Sequence, residues 1–127
     1  MIIKKFLPGI IWFFIIIVLL LLPSRDIPST GGWFKDLPVD KFVHFGIFGL
    51  LTFLFLRPAA FLNLSKRKRE IYLAFVVISS IIWGIITEYL QEIFTTDRAF
   101  DLLDWAADSL GIIVAYIFYK ICYRNKN

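Results

Sequence analysis

Three carboxylates stand at i, i+3 and i+7 in the stretch AFDLLDWAADSLG, residues 99–111: Asp101, Asp104 and Asp108. In a helix that spacing puts them on one face, which Gly111 and Ala115 continue. Asp108 lies seven residues beyond Asp101, roughly 10 Å further along the axis at about 1.5 Å per residue. An apolar run follows and needs this segment to reach across a bilayer. An acid near the middle of a membrane helix costs on the order of 2.5–3.5 kcal/mol. Three acids on one stripe also repel one another if all are ionised. They require a counter-ion, a water-filled cleft, or protonation. Groups held in this way can act as acids, as bases, or as ligands of a hard cation.

Candidate partners occur in two other apolar segments. Lys41 and His44 are three apart in DKFVHF, residues 40–45, and share a helical face. Gly84, Glu88, Gln91 and Thr95 fall on one stripe of the third segment. Glycine on that stripe permits close helix contact, so the stripe is expected to face other helices. Glu92 points away from it, toward the headgroups. Arg98 stands at the start of the fourth segment. The expected polar site therefore comprises Lys41, His44, Glu88, Gln91, Arg98, Asp101, Asp104 and Asp108. The bland counterpart is an ion-pair network that only supports packing.

These residues need a scaffold of helices. Four apolar segments supply one: about 6–22, 42–60, 71–94 and 99–122. A spanning helix takes about 17–25 residues, so the expected fold is all-α, an integral membrane bundle of four transmembrane helices in one domain, 1–127. The first segment reads as a retained helix and not as a signal peptide. Its apolar run exceeds the usual core of about 7–15 residues, and no A-x-A site follows it. Lacking polar residues after Gly9, it is expected to serve packing or anchoring. Pro23, Pro28, Pro38 and Gly31-Gly32 break any helix between the first two segments. Trp33 and Phe34 in that stretch are expected at headgroup level. The basic run Lys66-Arg67-Lys68-Arg69 is expected in a loop. The third and fourth segments, joined by a few residues around 95–98, form an antiparallel hairpin.

Composition agrees with lipid as the solvent. Of the 127 residues, 59% are hydrophobic, against about 45–50% in a soluble domain. The net charge of +4 comes from basic residues beside apolar runs, which signals membrane topology and not nucleic-acid binding. With both termini and the loop at 57–70 in the cytoplasm, ten of the fourteen basic residues face inward; Arg25, Lys35, Lys41 and Arg98 remain outside. That bias predicts an N-in, C-in topology. Nine of the ten acids then fall in the outer half, with Glu70 alone inside. The positive-inside rule does not ask for this, so a site opening outward is the expected cause. Cys122, the single cysteine, has no intramolecular disulfide partner and reads as a small filler near a helix end.

DKFVHF at 40–45, GIITEYLQ at 84–91, and Arg98 followed by DLLDWAADSLG at 101–111 together resemble the VanZ-like family. The family shows a D-K-x-x-H-F start, a G-x-x-x-E-x-x-Q helix and an R…D-x-x-D-x-x-x-N-x-x-G helix. The likeness spans roughly residues 40–115. Asp108 departs from it, standing where the family usually has Asn, and an acid there adds charge to the site. The family is named for a protein associated with low-level teicoplanin resistance. The resemblance thus implies a multi-pass protein of the bacterial cell membrane that acts in the envelope, but it supplies no reaction.

Three functions fit these residues. One is binding: an outward polar site engaging a lipid headgroup, a lipid-linked envelope precursor or a glycopeptide. Another is an integral membrane enzyme using acid–base or metal-assisted chemistry on a lipid-linked substrate. No compact H-x-x-x-H or E-x-x-x-H spacing and no activated Ser or Cys supports that second class, and neither cofactor nor metal is identified. The last is proton or ion transport, against which stands the absence of an ionisable partner continuing the cluster inward. Membrane lipids are the expected partners, and the oligomeric state is not legible.

Overall fold

A computed structural model describes residues 1–22, 39–96 and 98–126. Among them are four α-helices and no strand: α1 (Ile3–Leu20), α2 (Val39–Leu56), α3 (Lys66–Phe94) and α4 (Leu102–Cys122). Each is long and apolar enough to cross a membrane, α2 together with the 3-10 turn Arg57–Ala60 that extends it. The positions of Trp33 and Phe34, and the Pro and Gly breaks at 23–38, lie outside the described residues.

The helix starts differ from the sequence reading, each for a local reason. α3 begins at Lys66 and not near 71, so the basic run forms its first turn and is not a loop. Ser65 causes this: its Oγ accepts from the Lys68 N–H at 3.4 Å, capping donors that have no intrahelical partner. α4 begins at Leu102 and not at 99, because Asp101 is its N-cap and takes the Leu103 N–H at 2.8 Å. Arg98 therefore lies in the segment leading into α4 and not on the helix. Cys122 closes α4 but is exposed, so it fills no core gap.

α2 and α4 run parallel and approach most closely. A Cβ at Gly49 would sit 3.2 Å from the Gly111 carbonyl oxygen. One at Gly111 would overlap the carbonyl oxygen of Phe45. Small residues let two backbones meet here, as is common where lipid supplies no hydrophobic drive between helices. α3 runs antiparallel to both, with Trp105 Nε1 donating to the Ile81 carbonyl at 3.2 Å. α1 does more than anchor. Trp12 Nε1 donates to the Ile47 carbonyl at 3.1 Å, and Gly9 lies against the Phe55 ring.

Two apolar layers fill the bundle. Ile16, Leu20, Ile47, Phe48, Leu51 and Ile112 form one. Leu56, Ala59, Ala60, Leu73, Val76 and Tyr119 form the other. Large side chains such as Phe75, Ile93 and Ile121 cover the outside, as expected of surface that meets acyl chains. The basic residues of the α3 start gather at one end, where Lys120 pairs with Glu70 at 2.6 Å. The acids of the site lie at the other end, beside the N-termini of α2 and α4.

Candidate functional site

The centre is built around His44, one turn into α2. Its ring is 1% exposed, and three carboxylates from two other helices surround it. Asp108 of α4 puts Oδ1 2.9 Å from Nδ1. Glu88 of α3 puts Oε1 3.7 Å from the same nitrogen. Asp104 of α4 puts Oδ2 3.7 Å from Nε2. With Asp108 ionised, its oxygen only accepts, and Nδ1 then carries the proton in this bond.

Helix geometry explains the convergence. Asp104 and Asp108 are four apart and share a face of α4, one turn above the other. Gly84 of α3 lies opposite: a Cβ there would meet Asp108 Oδ2 at 3.3 Å and the Trp105 ring at 3.2 Å. Glycine at 84 is thus what lets the Asp108 carboxylate lie against α3. Glu88 is one turn further along α3 on the same stripe, level with the start of α4. Its Oε2 accepts the backbone N–H of Asp101 at 3.1 Å, which aims Oε1 at His44.

Lys41 closes the end of the bundle where α2 and α4 begin. Its ammonium donates to Asp101 Oδ2 at 2.8 Å and to Asp104 Oδ1. Side-chain exposure falls from 42% at Asp101 to 28% at Lys41, 9% at Asp104 and 0% at Asp108. The polar column thus begins at the bundle end and runs inward to a fully buried floor at Asp108. Asp101 lies just outside the spanning helix, and the Lys41 bond holds its pKa below the usual carboxylate value, with help from the Leu103 N–H.

Several buried polar atoms of the centre have no hydrogen-bond partner among the described residues: His44 Nε2, Glu88 Oε1 and Asp108 Oδ2. Buried polar groups are nearly always satisfied, and an unmet one costs about 1–3 kcal/mol. Three such atoms within one cluster make it the candidate binding site among the described residues. Two groups have the spacing to hold a metal ion: His44 with Glu88 and Asp108, all buried, and His44 with Asp104 and the exposed Asp40.

Of the eight residues singled out in the sequence, six converge directly: Lys41, His44, Glu88, Asp101, Asp104 and Asp108. Gln91 is buried on the expected stripe, but its Nε2 donates to the Leu20 carbonyl at 3.0 Å and ties α3 to the end of α1. Arg98 is half-buried three residues before the α4 cap. Thr95 is buried and bonds back to the Gln91 carbonyl. Asp40 was legible only as the residue before Lys41. Its place four residues ahead of His44, one turn earlier on α2, was the available signal.

Comparison with curated proteins and with solved structures finds no match. The VanZ/LLP1 family model matches residues 4–123, extending the resemblance at 40–115 back through α1. With four membrane-length helices and a polar centre carried by the residues of the shared motifs, the chain belongs to the VanZ/LLP1 family.

Proposed function

We propose that this centre receives the polar headgroup of an envelope lipid or of a lipid-linked precursor, in a bacterial cell membrane, with both termini and the basic end in the cytoplasm. The observation that carries the reading is the polar column itself. It opens at one end of an apolar bundle and ends on buried side chains that each keep one polar atom without a hydrogen-bond partner among the described residues. A lipid already in the bilayer can bring a headgroup to that opening while its chains stay in hydrocarbon. Lys41 suits a phosphate, and the carboxylates suit hydroxyls or amines. The segregation of basic residues at the opposite end supports the orientation.

The test is binding of phosphatidylglycerol and undecaprenyl phosphate to purified protein in detergent, read by native mass spectrometry. His44→Ala and Asp104→Asn should weaken binding while thermal melts stay cooperative. Equal binding by both variants and the parent would refute the reading. A link to glycopeptide resistance predicts a higher teicoplanin threshold in a strain expressing the chain, lost with the same substitutions.

One observation favours a catalytic variant of this reading. Asp108 holds His44 by Nδ1 while Nε2 lacks a hydrogen-bond partner among the described residues, the arrangement of an oriented general base. Turnover of the bound lipid that disappears in His44→Ala, with binding retained by His44→Gln, would establish catalysis.

A further inference from the structure

We propose that His44 Nδ1, Glu88 Oε1 and Asp108 Oδ1 form a binding site for one divalent first-row transition-metal ion. The inference concerns the same centre but does not depend on the lipid reading, since the ion can be measured with no lipid added.

Geometry is the first support. Ligand atoms about 2.1 Å from one ion stand about 3.0 Å apart at right angles and about 3.4 Å apart at the tetrahedral angle. The observed separations from His44 Nδ1 are 2.9 Å to Asp108 and 3.7 Å to Glu88, which bracket those values. The 2.9 Å separation also suits a hydrogen bond, so the second oxygen, Glu88 Oε1 at 3.7 Å from the same nitrogen, is the placement that points to an ion.

Unmet bonding capacity is the second. Glu88 is fully buried and keeps one oxygen, Oε1, without a hydrogen-bond partner among the described residues. Glu88 Oε1 is the oxygen turned toward His44, while Oε2 is engaged by the Asp101 N–H. A bound ion gives Oε1 the partner it lacks.

Charge balance is the third. A neutral imidazole with two carboxylates and a divalent cation sums to zero, which a buried site of low dielectric favours. Two protons shared among the three groups would balance it equally well, so the experiment must separate an ion from protons.

The surrounding groups also fit. With Nδ1 on the ion, the imidazole proton sits on Nε2, where Asp104 Oδ2 stands at 3.7 Å to receive it after a small shift. Lys41 holds Asp104 from the other side. A carboxylate behind a ligating histidine is the usual way its tautomer and ring orientation are fixed. The alternative trio of Asp40, His44 and Asp104 is the weaker site, because Asp40 is exposed and Asp104 is already bound by Lys41. One imidazole nitrogen with two carboxylate oxygens suits Mn2+ or Zn2+ better than Mg2+ or Ca2+, which prefer oxygen throughout. Three protein ligands leave positions open for water or for a phosphate oxygen.

Untagged protein in detergent is stripped with EDTA, exchanged into chelator-free buffer and titrated separately with Mn2+, Zn2+ and Mg2+. Bound metal is counted by mass spectrometry, Mn2+ occupancy by loss of its free electron-resonance signal, and stability by Tm. The expected result is one Mn2+ or Zn2+ per chain and a Tm that rises with free metal. Glu88→Gln and Asp108→Asn, which keep side-chain shape, should each weaken binding by more than the roughly tenfold cost typical of an outer-shell change. Asp104→Asn should weaken it by about tenfold, as a residue that positions His44 and does not touch the ion. Lack of stoichiometric metal in the unsubstituted protein overturns the proposal and favours protons in the centre. So does metal that stays at full occupancy and unchanged affinity in the Glu88→Gln, Asp108→Asn double variant. Neither result bears on lipid binding, which is measured apart.

Discussion

Gly111→Ala tests whether the close contact of α2 and α4 is what assembles the centre. The added Cβ would overlap the Phe45 carbonyl oxygen and stand 3.0 Å from the Phe45 carbonyl carbon. Both neighbours are helix backbone and cannot turn aside as a side chain would. The two helices must part by about 1 Å to restore ordinary contact distances. His44 is one residue before Phe45, and Asp108 is three before Gly111, so the same displacement acts on their 2.9 Å bond. Stretched by that amount, it leaves hydrogen-bonding range. Overpacking typically costs about 1–3 kcal/mol, partly offset by alanine's helix preference over glycine of about 1 kcal/mol. Gly46→Ala is the matched control: it lies on α2 next to Phe45, and a Cβ there meets nothing within 4 Å. Melting in detergent should show Gly46→Ala at or above the parent and Gly111→Ala clearly below it. Metal or lipid binding should fall only in Gly111→Ala. Equal stability and equal binding of the two variants would show that the α2–α4 approach does not hold the site together.

Other consequences follow from single bonds. Gln91→Leu removes the donor to the Leu20 carbonyl and should cost about 0.6 kcal/mol, up to about 1.7, the range for hydrogen bonds between membrane helices. α1 should then loosen, with faster hydrogen exchange near Leu20 in mass spectrometry. Asp101→Ala deletes both the α4 cap and a partner of Lys41, so unfolding should be easier by about 1 kcal/mol, the usual value of an N-cap. Because the folded pKa of Asp101 is lowered, its contribution is present above the unfolded value of about 3.9 and lost as pH falls through the lowered folded value. A Tm series at falling pH should therefore show the gap between parent and Asp101→Asn closing only at the acid end. Trp12→Phe keeps an aromatic side chain, smaller than indole, and loses the bond to the Ile47 carbonyl, and should lower Tm without changing metal content.

Much of the centre was visible in the chain. The spacing of Asp104 and Asp108, of Lys41 and His44, and of Gly84 and Glu88 follows from a helix of about 3.6 residues per turn. That period is local, so a sequence states it directly. Gly84 and Gly111 also marked the inward faces. Misplaced helix starts had local causes as well, but ones that compete: Ser65 and Asp101 each offered a cap inside what hydropathy alone read as loop or helix. Hydropathy weighs side chains, whereas a helix begins where its first N–H groups find an acceptor.

Partner choice was not legible. Gln91 shares a stripe with Glu88, yet one meets α1 and the other meets His44. The acids on α4 divide their attention too, with Asp104 going to Lys41 and Asp108 to His44. Those outcomes depend on how far apart two helices lie and how each is rotated about its axis. From the sequence alone came four membrane-length helices, acids gathered at one end and bases at the other, and the faces that turn inward. Tertiary structure decided the rest, because the separation of α2 and α4 is set by backbone contact at Gly49 and Gly111, and that distance is what brings His44 within reach of Asp108.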